Sequence, residues 1–206
     1  NKMGLISNAT TIFDAGAMAS GFGGSMTFIK KLTASSSGTL SFVDGTSSVV
    51  LDNTYKEYLF VFNNIHPATD GVYFSFQGNA AGGSGFDETI TSTVFVAQHS
   101  EGGSGAELGY GNSRDQAQGT AIQNISDTIG NDNDQSLSGY LRLFNPSSTT
   151  FVKHFMATTN IAHPSNFTMN NYSAGYFNTT SAIDEIQFSM NSGNIDAGTI
   201  SLYGIS

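Results

Sequence analysis

The groups in this chain that could do chemistry are four histidines, sixteen carboxylates and two glycine-serine loops, and there is no cysteine. Without thiols there can be no disulfides, thiolate zinc sites or cysteine nucleophiles. His66, His99, His154 and His163 form no His-x-His or His-x-x-x-His pair, and no Asp or Glu recurs around them at ligand spacing. His66 and His163 both precede proline, which marks turn entries, so no metal centre is expected from them. Gly82-Gly83-Ser84-Gly85 and Gly102-Gly103-Ser104-Gly105 miss the Gly-x-Ser-x-Gly register of a nucleophile elbow, because Phe86 and Ala106 stand where the last glycine belongs. They read as surface loops. A phosphate-binding Gly-Lys-Ser/Thr motif is absent.

Paired carboxylates for glycoside hydrolysis must face one sugar across roughly 5–10 Å. Asp87-Glu88 and Asp184-Glu185 are sequence neighbours, so on strands their side chains point to opposite faces. Asn131-Asp132-Asn133-Asp134 offers the clustered oxygens that calcium takes, but lacks the glycine and distal glutamate of an EF-hand loop. It reads first as a turn, with calcium as the open alternative. Nothing here makes a catalytic set, and a non-enzymatic protein without a cofactor is the expectation.

Aromatic side chains offer a different chemistry, stacking. Tyr110, Tyr172, Tyr176 and Phe177 fall in or near two stretches read as loops, 99–135 and 163–180, where they could form an exposed surface for sugar rings. Core or interface packing is the competing reading.

The elements that must hold these residues are strands. In 206 residues only 11% are charged, and polarity comes instead from Ser, Thr, Asn and Gly. The net charge of −9 with seven basic residues leaves no basic stripe for nucleic acid and disfavours anionic membranes. No apolar run reaches the 18 residues of a transmembrane helix. Five Asn-x-Ser/Thr sequons, at Asn8, Asn124, Asn166, Asn171 and Asn178, are close to what this composition produces by chance.

Short alternating runs bounded by Gly, Asn, Ser or Pro predict strands at 27–33, 39–44, 47–51, 58–66, 72–77, 89–98, 137–145, 150–160, 183–190 and 198–205. Residues 58–66 and 72–77 flank Pro67-Ala68-Thr69-Asp70-Gly71 and are expected to pair as a hairpin. A helical turn is expected near 114–118. The predicted core is Leu59, Val61, Phe74, Phe76, Leu141, Leu143, Ile186, Phe188, Ile200 and Leu202. The fold expected is an all-β, two-sheet antiparallel sandwich, jelly-roll-like, over residues 27–206. Residues 1–26 mix apolar side chains with Gly16, Gly21, Gly23 and Gly24, which suits an extended N-terminal arm. Met3, Leu5, Ile6, Ile12, Phe13 and Phe22 are its expected partner-binding residues.

From Leu40-Ser41-Phe42 through Phe76, a Ser/Thr-rich strand, then Asn53-Thr54-Tyr55-Lys56-Glu57-Tyr58-Leu59-Phe60-Val61-Phe62-Asn63-Asn64-Ile65, then Pro-Ala-Thr-Asp-Gly and a second strand, the chain resembles a family of small virion proteins from tailed bacteriophages. The ending Gly198-Thr199-Ile200-Ser201-Leu202-Tyr203-Gly204-Ile205 resembles that family's close. About 45 residues carry the likeness, and they are structural rather than catalytic. The resemblance implies a virion component made in the host cytoplasm: a capsid decoration or cement protein first, a tail-fibre or receptor-binding module second. An extracellular carbohydrate-binding module is third. The expected partners are its own copies, as a homotrimer, and virion proteins such as the major capsid protein.

Overall fold

The computed structural model describes residues 25–206 throughout, and within the preceding segment only the backbone of three short strands. Those are β1 (Leu5–Ser7), β2 (Thr10–Asp14) and β3 (Ala17–Met18), which pair in order as an antiparallel meander. Of the expected arm residues, Met3 and Phe22 lie outside the described residues, and Leu5, Ile6, Ile12 and Phe13 fall on β1 and β2.

The remaining strands form two antiparallel sheets packed as a sandwich. The larger contains β4 (Met26–Thr33), β6 (Glu57–Pro67), β8 (Ile90–Ser100), β9 (Glu107–Tyr110), β11 (Leu137–Phe144), β12 (Lys153–His163), β13 (Phe167–Phe177) and β15 (Ile195–Ile205). Its order is β4-β15-β6-β11-β12-β13-β8-β9. The smaller contains β5 (Thr39–Val43), β7 (Phe74–Ala80), β10 (Gln123–Asn124) and β14 (Ile183–Met190), ordered β10-β7-β14-β5. The sandwich expected from the alternation is thus present, with sheets of eight and four strands.

Phenylalanine fills the space between the sheets. Phe188 on β14 meets the rings of Phe42, Phe60, Phe62, Phe74 and Phe76 at centroid distances of 5.2–6.3 Å, mostly edge to face. That geometry sets the positive ring edge against the negative face of the next ring. Phe155 and Phe177 from the large sheet extend the cluster through Phe76. A chain without Trp thus builds its core from smaller rings that interlock across both sheets.

Several expectations are corrected. β6 and β7 do not form a hairpin: the Pro67–Gly71 turn carries the chain from one sheet to the other. Turn chemistry bends the chain but does not decide where the next strand pairs. Within β6 the buried residues are Tyr58, Phe60, Phe62, Ile65 and Pro67, while Leu59 and Val61 point outward and are only partly covered. This run is apolar at both parities, so period-2 reading cannot choose its register. The other eight residues of the expected core are buried. Residues 47–51 form a turn rather than a strand, with Val49 and Leu51 buried beneath it. No helical turn forms over 114–118: the hydrogen-bonded turn lies earlier, at residues 112–114, closed by Arg114 N–H donating to Gly111 O at 2.9 Å, and Gln116 O instead accepts from Ser92 N–H. The stretch 163–180 is mostly strand β13, not loop, and the 99–135 stretch contributes β9 and β10.

Candidate functional site: the outer face of the large sheet

Each sheet of a sandwich has one face on the core and one outside, and here the two outer faces differ in chemistry. On the small sheet, Gln77, Gln187 and Ser41 align across β7, β14 and β5, as do Ser75, Ser189 and Thr39. Gln187 Nε2 donates to Ser41 Oγ at 3.0 Å, and Ser75 Oγ bonds Asn124 Oδ1 at 2.8 Å. Gln77 Nε2 reaches the carbonyls of Glu88 and Ala121 at 3.1 and 3.0 Å, so loop segments close over this face. Gln77, Gln187, Ser41 and Ser75 thus find partners within the chain.

The outer face of the large sheet is the reverse. One register row runs Tyr110, Phe95, Tyr172, Thr158, Tyr140 and Val61 across six strands, from β9 to β6. The next runs Ala174, Met156, Arg142, Leu59, Tyr203 and Phe28, from β13 to β4. Met156 and Phe28 remain 54% and 56% exposed, and Tyr110 53%. Leu108, Phe95, Tyr140 and Tyr172 are exposed as well. Single exposed apolar residues are ordinary on a soluble domain, whereas a contiguous patch marks a contact surface.

Relief on this face is shaped by side-chain size. A groove of about 470 Å³ lies over Ala174, between Met156, Thr93 and the edge-to-face pair His154–Tyr176. A second, of about 330 Å³, lies between Leu59, Val61, Tyr140 and Arg142. Both are lined mainly by apolar surface. Met156 and Tyr140 form the ridge between them.

Charge is scarce here. Across the central strands the face carries Arg142 and Glu57, which pair at 3.3 Å. Lys31 lies at the β4 edge. Against a chain total of −9, this face is close to neutral.

The aromatic residues named from sequence divide. Tyr110 and Tyr172 share one row of the face, and Tyr176 borders the larger groove. Phe177 does not belong: it is fully buried in the core, because an inward position follows Tyr176 on the strand. Tyr172 and Phe95 stack at 4.6 Å with an interplanar angle of 11°, so each ring covers one face of the other. Such a pair presents a ridge rather than the open flat platform a sugar ring needs. Tyr110 Oη donates to Asp115 Oδ2 at 2.8 Å, which fixes its ring at the sheet edge. Sequence reading missed Phe28, Phe95, Met156 and Tyr140; the signal was apolar residues at the parity opposite to the core positions.

The remaining chemical groups do not converge. His66 Nδ1 bonds Gln135 O at 2.7 Å, and His163 Nδ1 accepts from Ser165 N–H at 3.0 Å. Asn131 N–H donates to Asp70 Oδ1, and the carbonyl of Asp132 accepts from Gln135 N–H, so the 131–134 run closes on its own turn. No group of three or more His, Cys, Asp or Glu able to hold a metal occurs among the described residues. Lys153 is fully buried, its ammonium donating to Phe151 O at 3.1 Å and Thr179 O at 3.0 Å. Burial lowers its pKa, partly offset by Glu88. Burial also raises the carboxyl of Asp184 above the ordinary range, with Glu185 and Asp44 adding to it.

Comparison of the chain with protein-family models, with curated proteins and with solved structures finds no match in any of the three.

Proposed function

We propose that this protein is a non-enzymatic virion structural protein of a tailed bacteriophage that acts by docking, as a capsid decoration or cement protein. The observation that carries a docking role is the broad, nearly uncharged apolar outer face of the large sheet, beside a small sheet whose outer face is polar and partly covered by loop segments. Apolar surface left in water is unfavourable by about 25 cal/mol per Å², so covering such a face provides the driving force for assembly. The assignment to a virion rests on the resemblance of residues 40–76 and 198–205 to small phage virion proteins. Its partners in this reading are other copies of itself and the major capsid protein.

Purified particles from the native source test the proposal by quantitative mass spectrometry. A copy number comparable to that of the major capsid protein is expected for decoration. A few copies per particle would instead indicate a tail-fibre or receptor-binding module. Absence from the particles would overturn the virion reading.

A further inference from the structure

We infer that the outer face of the large sheet packs against the same face of a second copy, giving a two-fold pair. This rests on the docking reading above and names the occupant.

Size comes first. Eight strands spaced about 4.8 Å apart, most of them eight to eleven residues long, present a face of roughly 1,200 Å². A stable interface covers about 800 Å² on each partner, so one face is enough.

Charge narrows the choice of partner. Two copies carrying −9 each repel through most of their surfaces. On this face the central charges are Arg142 and Glu57, already neutralised by each other, with Lys31 at the β4 edge and Asp115, bonded to Tyr110, at the β9 edge. Here two acidic molecules can meet without setting like charges together.

Shape completes the argument. The Met156–Tyr140 ridge between the grooves of about 470 and 330 Å³ makes the face both knob and hole. A surface carrying both halves of a contact can mate with itself around a two-fold axis. A trimer, the state expected from the sequence, requires two different complementary patches on each copy. Among the described residues one extended apolar face is present, which favours the pair.

The test is sedimentation equilibrium on the full chain, Met156→Glu, Thr39→Glu and a truncation lacking residues 1–24. Circular dichroism and thermal melting verify that each folds. A dimer at ~10 µM is expected for the full chain, Thr39→Glu and the truncation. Met156 is more than half exposed in the single chain, so its replacement should leave the fold intact while placing an unpaired charge in the interface. Association should then weaken at least ~100-fold. A monomeric full chain overturns the inference, as does a trimer or a dimer insensitive to Met156→Glu. A full chain that is monomeric while the truncation dimerises would show that residues 1–24 cover the face within one copy, and this also overturns it. Particle association of Met156→Glu is read separately. A monomeric variant that still loads onto particles supports the two-fold pair and refutes attachment to the particle through this face, whereas a dimeric protein absent from particles refutes only the virion assignment.

Discussion

Replacing Phe188 by Ala tests the core more severely than any other single substitution. Its ring, carried on β14, sits at the centre of the cluster and meets five other phenylalanines, two of them on the large sheet. Truncating a buried Phe to Ala costs about 3–5 kcal/mol, from lost transfer free energy plus the cavity left behind. Each lost edge-to-face contact adds about 0.5–1.5 kcal/mol beyond area burial. The surrounding rings belong to two hydrogen-bonded sheets and have little freedom to collapse inward. Phe188→Ala should therefore fall at or above the upper end, about 5 kcal/mol, a third or more of the 5–15 kcal/mol a domain has in total. With a urea slope of about 2–3 kcal/mol/M, the unfolding midpoint drops by about 2 M. Leu59→Ala is the matched control, since Leu59 lies outside the core on the neighbouring sheet. It should cost less than about 1.5 kcal/mol. Comparable losses for the two variants, or a Phe188→Ala loss below about 2 kcal/mol, would refute both the packing at the cluster centre and the register of β6.

Three further outcomes follow from the same structure. Burial holds the Lys153 amine below its ordinary value of 10.5, so the unfolded chain binds more protons than the folded one between the two values. Stability measured by urea titration should therefore rise with pH on the alkaline side as 10.5 is approached, and Lys153→Met should abolish that rise. Above pH 10 the buried phenol of Tyr58, whose pKa is raised, works in the opposite sense, because the unfolded tyrosine ionises first. Gly198→Ala should lower the midpoint by about 2 kcal/mol equivalent, since φ is +110° and a Cβ would lie 2.5 Å from Asn64 O. Gly175→Ala should destabilise by about 1–3 kcal/mol, its Cβ falling 2.5 Å from Thr91 O and 2.8 Å from the Phe155 ring.

Much of the sandwich is legible where strands alternate cleanly. Residues 183–190 place Ile186 and Phe188 inward between polar neighbours, and the observed strand has those same bounds. In the closing strand the inward Ile200 and Leu202 alternate with Thr199 and Ser201 as expected, but the strand begins at Ile195, three residues before the expected start. Legibility fails where one parity does not stand out. In β6 both parities are apolar, because one side meets the core and the other builds the exposed face. In β13 the inward positions include Asn171, Ser173 and Gly175, so a buried strand reads as a polar loop. That misreading hid the face itself, since Tyr172 and Tyr176 appeared as loop aromatics rather than members of a sheet. Pairing between sheets is a further blind spot: Pro67–Gly71 signals a turn, while its destination depends on which strands offer free edges.

The most direct test of the account is hydrogen–deuterium exchange and side-chain footprinting of the chain in its assembled state against the monomeric Met156→Glu variant. The account predicts protection concentrated on Phe28, Leu59, Tyr140, Tyr172 and residue 156, with the polar outer face of the small sheet unchanged. Protection confined to the small sheet, or none on the large sheet's outer face, would contradict it.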